Sequence, residues 1–249
     1  MSTIHPIAMT IAGFDPCGGA GLLADIKTME QHGVYGLGVA TANTVQDENK
    51  VYSVNWHKTE VILEQLNVLL KKYEVDWVKV GILENSQCFA AIKRLLQKHN
   101  PEIKIIWDPV LRSSSGFQFF ENDQELSTLL KGVYLITPNL PEFETLFKEE
   151  KKAVDASYLC NIYLKGGHHE KSPGTDYLFS QGNKMTFAAN TVSIASKHGS
   201  GCVLSAAITA SLALGQGLPQ SCISAKTYTE KFLSSHSSLL GWHNKTSVS

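Results

Sequence analysis

Short apolar runs alternate with amphipathic segments along the whole chain. Ile7 to Ala12 is an apolar run closed by Gly13, which predicts a strand. Gly21 to His32 carries Leu22, Leu23, Ile26 and Met29 at helical spacing and stops at Gly33, a residue suited to a helix end. Tyr35 to Ala40 reads as a buried strand, Val51 to Trp56 as a half-exposed one, and Val61 to Leu70 as an amphipathic helix. Trp77 to Val80 predicts a strand closed by Gly81, and Ser86 the N-cap of a helix running to about Lys98. Ile103 to Trp107 is a strand ending in Asp108-Pro109. Gln124 to Leu130 is helical, and Val133 to Ile136 is a strand followed by Thr137-Pro138-Asn139.

The second half keeps the alternation. Asn161 to Leu164 predicts a strand ending at Gly166-Gly167, and Tyr177 to Ser180 and Lys184 to Ala188 flank Gly182 as a hairpin. Cys202 to Leu214 and Pro219 to Leu239 are predicted helices, and Gly241 to Ser249 is a polar tail. There is no repeat at a period of 20–50 residues. Repeated strand–helix alternation predicts an α/β fold: a mostly parallel central sheet with helices on both faces, one domain over residues 1–249.

Composition narrows the function. The 249 residues carry 22 Lys+Arg against 23 Asp+Glu, a net charge of -1, which argues against nucleic acid and polybasic membrane surfaces as partners. At 43% hydrophobic and 18% charged, the chain can bury a large core. No stretch is long and apolar enough to span a bilayer, and the first residues lack the pattern of a signal peptide. The 5 cysteines, an odd number with no CxxC spacing, fit reduced thiols in a cytoplasmic protein better than a disulfide framework or a zinc site.

In a sheet of this kind ligands bind beyond the carboxyl ends of the strands. The residues falling there are polar: Asp15, Gln46, Asp108, Asn139, Glu142, Lys165 and the run Lys197-His198-Gly199-Ser200-Gly201-Cys202. The last run precedes a helix, so its glycines and the helix N-terminus make a phosphate site, with Cys202 where the same field favours a thiolate. A tight turn before a core helix reads equally from the pattern. Gly13 to Gly21 is a second glycine-rich strand-to-helix turn that matches neither a P-loop nor GxGxxG. Asp108, after a strand, could hold Mg²⁺ through water as phosphoryl transfer requires, or be structural. Asn139 and Glu142 share one face if their segment is helical, or each is a cap or a surface residue.

Taken together, AGFDPCGGAG, WDPV, TPNLPE, KGGH and HGSGC, in that order, resemble the hydroxymethylpyrimidine kinase / phosphomethylpyrimidine kinase family of the ribokinase-like superfamily, from about Ile7 to about Leu239. The resemblance implies a three-layer α/β/α fold, often homodimeric. It implies ATP- and Mg²⁺-dependent phosphorylation of 4-amino-5-hydroxymethyl-2-methylpyrimidine and then of its monophosphate in thiamine biosynthesis. It implies a pyrimidine pocket from Gly19, Ala20, Thr44, Gln46, Ile82 and Val110, with the Gln46 amide pairing to the aminopyrimidine edge. Asp108 and Glu142 are implied as the metal group. Asn139, Lys165, Asp176 and Lys197 are implied on the nucleotide side. Gly199, Ser200 and Gly201 are implied as the anion hole, with Cys202 as base.

The chain departs from the family pattern in places. Cys17 stands for a usual Ser, Ile82 for a commoner Met, Ser200 for a Thr and Lys197 for a Thr or similar residue. Lys197 is either a phosphate contact or a solvated loop charge. The segment between Phe147 and Asn161 is shorter than usual by about one helix. A rival from another class, a non-catalytic pyrimidine-binding or regulatory protein, is opposed by the intact Asp108, Asn139, Glu142 and GSGC set, and the nearest rival is a pyridoxal kinase of the same superfamily. Its dual-cysteine type carries a second Cys in the lid, whereas Val110 to Gly116 here has none. His168-His169 reads as a phosphate neighbour or an exposed pair.

Overall fold

A computed structural model describes residues 5–113, 116–121, 124–168, 173–189 and 196–244. Its centre is one sheet of nine strands: β1 (Ile7–Phe14), β2 (Tyr35–Gln46), β3 (Val51–Trp56), β4 (Trp77–Val80), β5 (Lys104–Trp107), β6 (Leu135–Ile136), β7 (Asn161–Leu164), β8 (Asp176–Ser180) and β9 (Asn183–Phe187). The order across the sheet is β3-β2-β1-β4-β5-β6-β7-β8-β9. The pairs from β2 through β7 are parallel, while β3, β8 and β9 join antiparallel at the two edges. The expected mostly parallel sheet is therefore present.

Among the described residues, eight α-helices cover it: α1 (Gly21–Gln31), α2 (Thr59–Lys72), α3 (Ser86–His99), α4 (Leu126–Leu130), α5 (Leu140–Phe147), α6 (Glu150–Ala156), α7 (Ser200–Ala213) and α8 (Leu218–Leu233). Period-two alternation along the strands divides the core in two. Ile105 and Trp107 join Met9, Ile11, Phe89 and Phe147 on the side of α2 to α6, whereas Ile106 joins Leu135, Tyr163, Val203 and Ile208 on the side of α7 and α8. Helix α1 packs beside α7. The result is three layers. Helix α7 is apolar almost all round and has ten consecutive buried residues, Val203–Leu212, because it lies between the sheet and α8.

Several boundaries differ from the expectation. Strand β2 runs on to Gln46, because its far half pairs with β3 beyond the reach of β1. Asn85, not Ser86, caps α3: its side chain accepts from Cys88 N at 2.9 Å, and Ser86 is the first helical residue. Helix α8 ends at Leu233 rather than Leu239. There Ser234 and Ser235 turn their hydroxyls onto the carbonyls of Glu230 and Phe232, which competes with continuing the helix. Helix α5 makes the segment of Asn139 and Glu142 helical, the condition for their shared face, while α6, in the short segment after Phe147, was not anticipated.

Parallel pairing brings the carboxyl ends of β1, β2, β4, β5, β6 and β7 to one edge. The N-terminus of α7 faces the same edge and completes the site.

Candidate active site

A cavity of about 290 Å³ lies at that edge. On one side it is lined by Ala20, Thr44, Gln46, Ile82 and Val110, the residues expected around the pyrimidine. On the other it is lined by Asp108, Asn139, Glu142, Lys165, Lys197 and the Gly199 to Cys202 turn. The two predicted residues outside the lining are Gly19 and Asp176. Gly19 lies just behind, donating its N–H to Asp15 Oδ2 at 3.1 Å.

The α7 N-terminus has no side-chain cap. The first N–H groups of a helix lack intrahelical acceptors, so this end presents donors and a partial positive charge to the cavity. Gly199 makes the turn possible: its φ is +75°, and a Cβ there would stand 1.9 Å from the Gly19 carbonyl oxygen. A Cβ on Gly201 would stand 3.2 Å from Lys165 Nζ, so the bare backbone lets that ammonium approach the turn.

Asp108 is buried and pairs with Lys165, Nζ to Oδ1 at 2.8 Å. Thr137 Oγ1 donates to Oδ1 at 3.2 Å and Ser205 Oγ to Oδ2 at 3.2 Å. Burial alone would raise the carboxyl, but Lys165, Lys79 and these hydrogen bonds outweigh it and hold it low. Lys165 is raised: burial opposes its charge, and Asp108 and Glu142 prevail. Glu142 is pushed up to about 7, first by burial and further by Asp108, against the pull of Lys165. Asn139 and Glu142 do share a face, as the two halves of a capping box on α5: Glu142 N donates to Asn139 Oδ1 at 2.9 Å, and Asn139 N to Glu142 Oε2 at 2.8 Å.

The donors of Asp108 and Glu142 are all oxygen, the chemistry Mg²⁺ takes. Lys165, Thr137 and Ser205 already occupy Asp108. The pair therefore fits an ion that keeps several of its own waters better than one stripped to protein ligands.

Three expectations need correction. The Cys202 thiol is not depressed towards a thiolate: burial pushes it up to about 11, and Asp25 and Asp108 add to the rise against the pull of Lys79. Lys197 is buried, and its ammonium donates to the carbonyls of His236 and Ser238, so it braces the turn from behind instead of offering itself to a phosphate. Asp176 accepts from Gly166 N at 2.6 Å, Tyr163 Oη at 2.8 Å and Lys226 Nζ at 2.9 Å, which makes it a buried brace for the β7–β8 connection. The lid residues Ser114 and Ser115, and His169, lie outside the described residues.

Asp15 and His198 were singled out in the sequence but not as partners, and Asp25, Lys79, Thr10 and Ser205 were not singled out at all. Asp15 accepts the N–H groups of Cys17, Gly19 and Ala20 and also pairs with His198, Nε2 to Oδ2 at 2.9 Å. Beneath Cys202, Lys79 pairs with Asp25 at 2.7 and 2.8 Å, both fully buried. Thr10 Oγ1 donates to the same carboxylate at 2.6 Å. Ser205 was also missed, although it follows Cys202 by one helical step and so faces Asp108.

Comparison with known proteins places this arrangement. The model of the family described as phosphomethylpyrimidine kinase matches residues 15–247. The chain belongs to the phosphomethylpyrimidine kinase family. It is 35% identical over 235 residues to a hydroxymethylpyrimidine/phosphomethylpyrimidine kinase of Aquifex aeolicus, a match that covers 89% of this chain and 92% of that one. Among solved structures it resembles a phosphomethylpyrimidine kinase of Clostridium difficile 630, with a TM-score of 0.77, 28% identity and coverage of 91% and 98%. It also resembles a Bacillus subtilis pyridoxal kinase in an ADP complex, with a TM-score of 0.75, 25% identity and coverage of 90% of each chain. The three layers are the ribokinase-like fold, as the sequence motifs implied.

Proposed function

We propose that this chain transfers the γ-phosphoryl group of ATP to the hydroxymethyl oxygen of 4-amino-5-hydroxymethyl-2-methylpyrimidine, and then phosphorylates the resulting monophosphate. The carrying observation is that one cavity joins an amide-bearing, otherwise apolar wall (Gln46, Ile82, Val110) to an uncapped helix N-terminus flanked by Lys165. The first suits a flat polar-edged ring and the second a phosphoryl group. The names of the curated relatives support the pyrimidine, and the ADP bound by the Bacillus subtilis neighbour supports ATP.

Each residue has work in that reaction. Gln46 orients the ring through its amide, which donates and accepts in one plane. The Gly199–Cys202 turn and Lys165 meet the negative charge of the moving phosphoryl group, where fixed dipoles are most effective. Asp108 and Glu142 would hold Mg²⁺ through its waters, and when bound it would neutralise charge on the phosphates. Cys202 is the base. With its thiol near 11, it works through the small thiolate fraction, and that thiolate is a strong acceptor once formed.

The chain functions as one domain, since a single sheet runs from β3 to β9. A homodimer is the state the family resemblance implies. Exposed Val45 and Tyr52, on β2 and the edge strand β3, support it. Five free thiols support a cytoplasmic, reducing setting. Incubation with ATP, Mg²⁺ and the pyrimidine alcohol should give first a monophosphate and then a diphosphate by mass. Absence of both products would reject the reading.

A further inference from the structure

Three metal-ligating side chains that take no direct part in phosphoryl transfer converge behind the glycine turn: Asp15, Cys17 and His198. One ligand atom from each lies within 4.8 Å of the other two. Cys17 Sγ donates to Asp15 Oδ2 at 3.3 Å, and His198 Nε2 stands 2.9 Å from that same oxygen. A thiol and an imidazole therefore aim at one carboxylate oxygen.

Thiolate sulfur, imidazole nitrogen and carboxylate oxygen are the ligand types of zinc. Its bond lengths, about 2.3 Å to sulfur and about 2.0 Å to nitrogen or oxygen, set tetrahedral ligand atoms about 3.3–3.5 Å apart. The two separations to Asp15 need to change by well under an ångström to meet that, and the Cys17–His198 separation is within 4.8 Å. The outer shell is also built. Cys17 N donates to Oδ1 at 3.0 Å, and Gly19 N and Ala20 N donate to Oδ2 at 3.1 and 2.8 Å, so the carboxylate is held in place before any ion arrives. Asp15 and His198 border the cavity, which leaves an open side for a fourth ligand.

We propose that Asp15, Cys17 and His198 form a zinc site with a fourth position open to water or to an anion in the cavity. Binding replaces the thiol hydrogen of Cys17, which leaves as a proton. The neutral imidazole carries its remaining hydrogen on Nδ1, so that Nε2 donates its lone pair. The ion would clip the Asp15–Cys17 turn of the β1–α1 connection to the His198 turn before α7, fixing both walls of the cavity. This inference does not depend on which alcohol the cavity phosphorylates.

Cobalt reports the site directly, because a thiolate–cobalt bond gives a charge-transfer absorption that oxygen ligands do not. The reduced, metal-free full chain is titrated with Co²⁺, and Zn²⁺ is then added. The expected result is a charge-transfer band saturating at one equivalent and bleached by Zn²⁺. Cys17→Ser, an almost isosteric change, abolishes the band. His198→Gln weakens Co²⁺ binding at least tenfold, and Cys202→Ser keeps the band. Circular dichroism confirms that each variant is folded. No band in the folded parent chain, a band that survives Cys17→Ser, or one lost with Cys202→Ser overturns the proposal.

Discussion

Asp15 and His198, 183 positions apart in the chain, meet at 2.9 Å between Oδ2 and Nε2. That contact joins the first glycine turn to the turn that opens α7. Asp15 is held down to about 2: burial would raise it, but the His198 and Cys17 side chains and Ala20 N outweigh that. The same region is held from outside, where His198 N donates to Leu239 O at 2.9 Å.

Asp15→Asn keeps the size of the side chain and removes its charge. Because misplacing an anion hole slightly is costly, kcat should fall roughly ten- to a hundred-fold. The KM for the pyrimidine should move only a few-fold. Steady-state kinetics on the folded variant check this, and an unchanged kcat would mean that the pair positions nothing.

Cys202 as base makes turnover depend on pH. Its thiol lies near 11, so the thiolate fraction grows about tenfold per pH unit below that value. If Cys202 is the base, kcat rises with pH between 7 and 9. Cys202→Ala should lie roughly a hundred-fold or more lower and lose that slope. A flat profile in the parent enzyme, or near-normal turnover in the variant, removes Cys202 as base.

The Lys79–Asp25 pair is wholly buried, and Lys79 is raised because Asp25 and Asp108 outweigh the burial of its ammonium. Lys79→Met strands a buried carboxylate and should cost about 3–5 kcal/mol. Replacing both partners, with Asp25→Leu added, should cost less than the single change. Denaturant unfolding measures both, and a single-variant cost below about 1 kcal/mol would contradict the buried geometry.

His243 ties the C-terminal segment to α8: its Nδ1 meets Tyr228 Oη at 2.9 Å, and its ring lies 4.9 Å from that of Phe232. Burial, with help from Lys27 and His32, lowers it from 6.5 to about 4. An unfolded chain therefore takes up the proton first. The contribution is whole above pH 6.5 and is lost as pH falls towards 4. His32, also lowered by burial, adds to the same slope. Over that window the melting temperature of the parent should fall faster than that of His243→Gln, and parallel curves would contradict the assignment.

The layers were legible in the sequence because apolar period and glycine punctuation agree over most of the chain. The site was legible where a residue follows a strand directly, as with Asp108 and Lys165, since parallel pairing carries such residues to one edge, whereas Gln46 closes β2 itself and was marked by the family motif. Asn139 and Glu142 were legible as site residues or as caps, and they are both cavity lining and the capping box of α5. The Asn-x-x-Glu spacing with Pro141 marks the start of α5, which the sequence offered only as a condition on the shared face. Lys197 and Asp176 fell where expected in the chain but point into protein, because their partners, the carbonyls of His236 and Ser238 and the Lys226 ammonium, come from distant segments. The Asp15–His198 and Asp25–Lys79 pairs escaped for the same reason: each joins residues that nothing local relates.

The choice of alcohol separates a pyrimidine kinase from a pyridoxal kinase. Purified protein with ATP and Mg²⁺ should phosphorylate the pyrimidine alcohol faster than pyridoxal at equal concentrations, and should go on to phosphorylate the pyrimidine monophosphate. Gln46→Leu should raise the KM for the pyrimidine far more than that for ATP, because it leaves the ring's polar edge without a partner. Faster turnover of pyridoxal, or equal loss of pyrimidine and ATP binding in Gln46→Leu, would contradict the account.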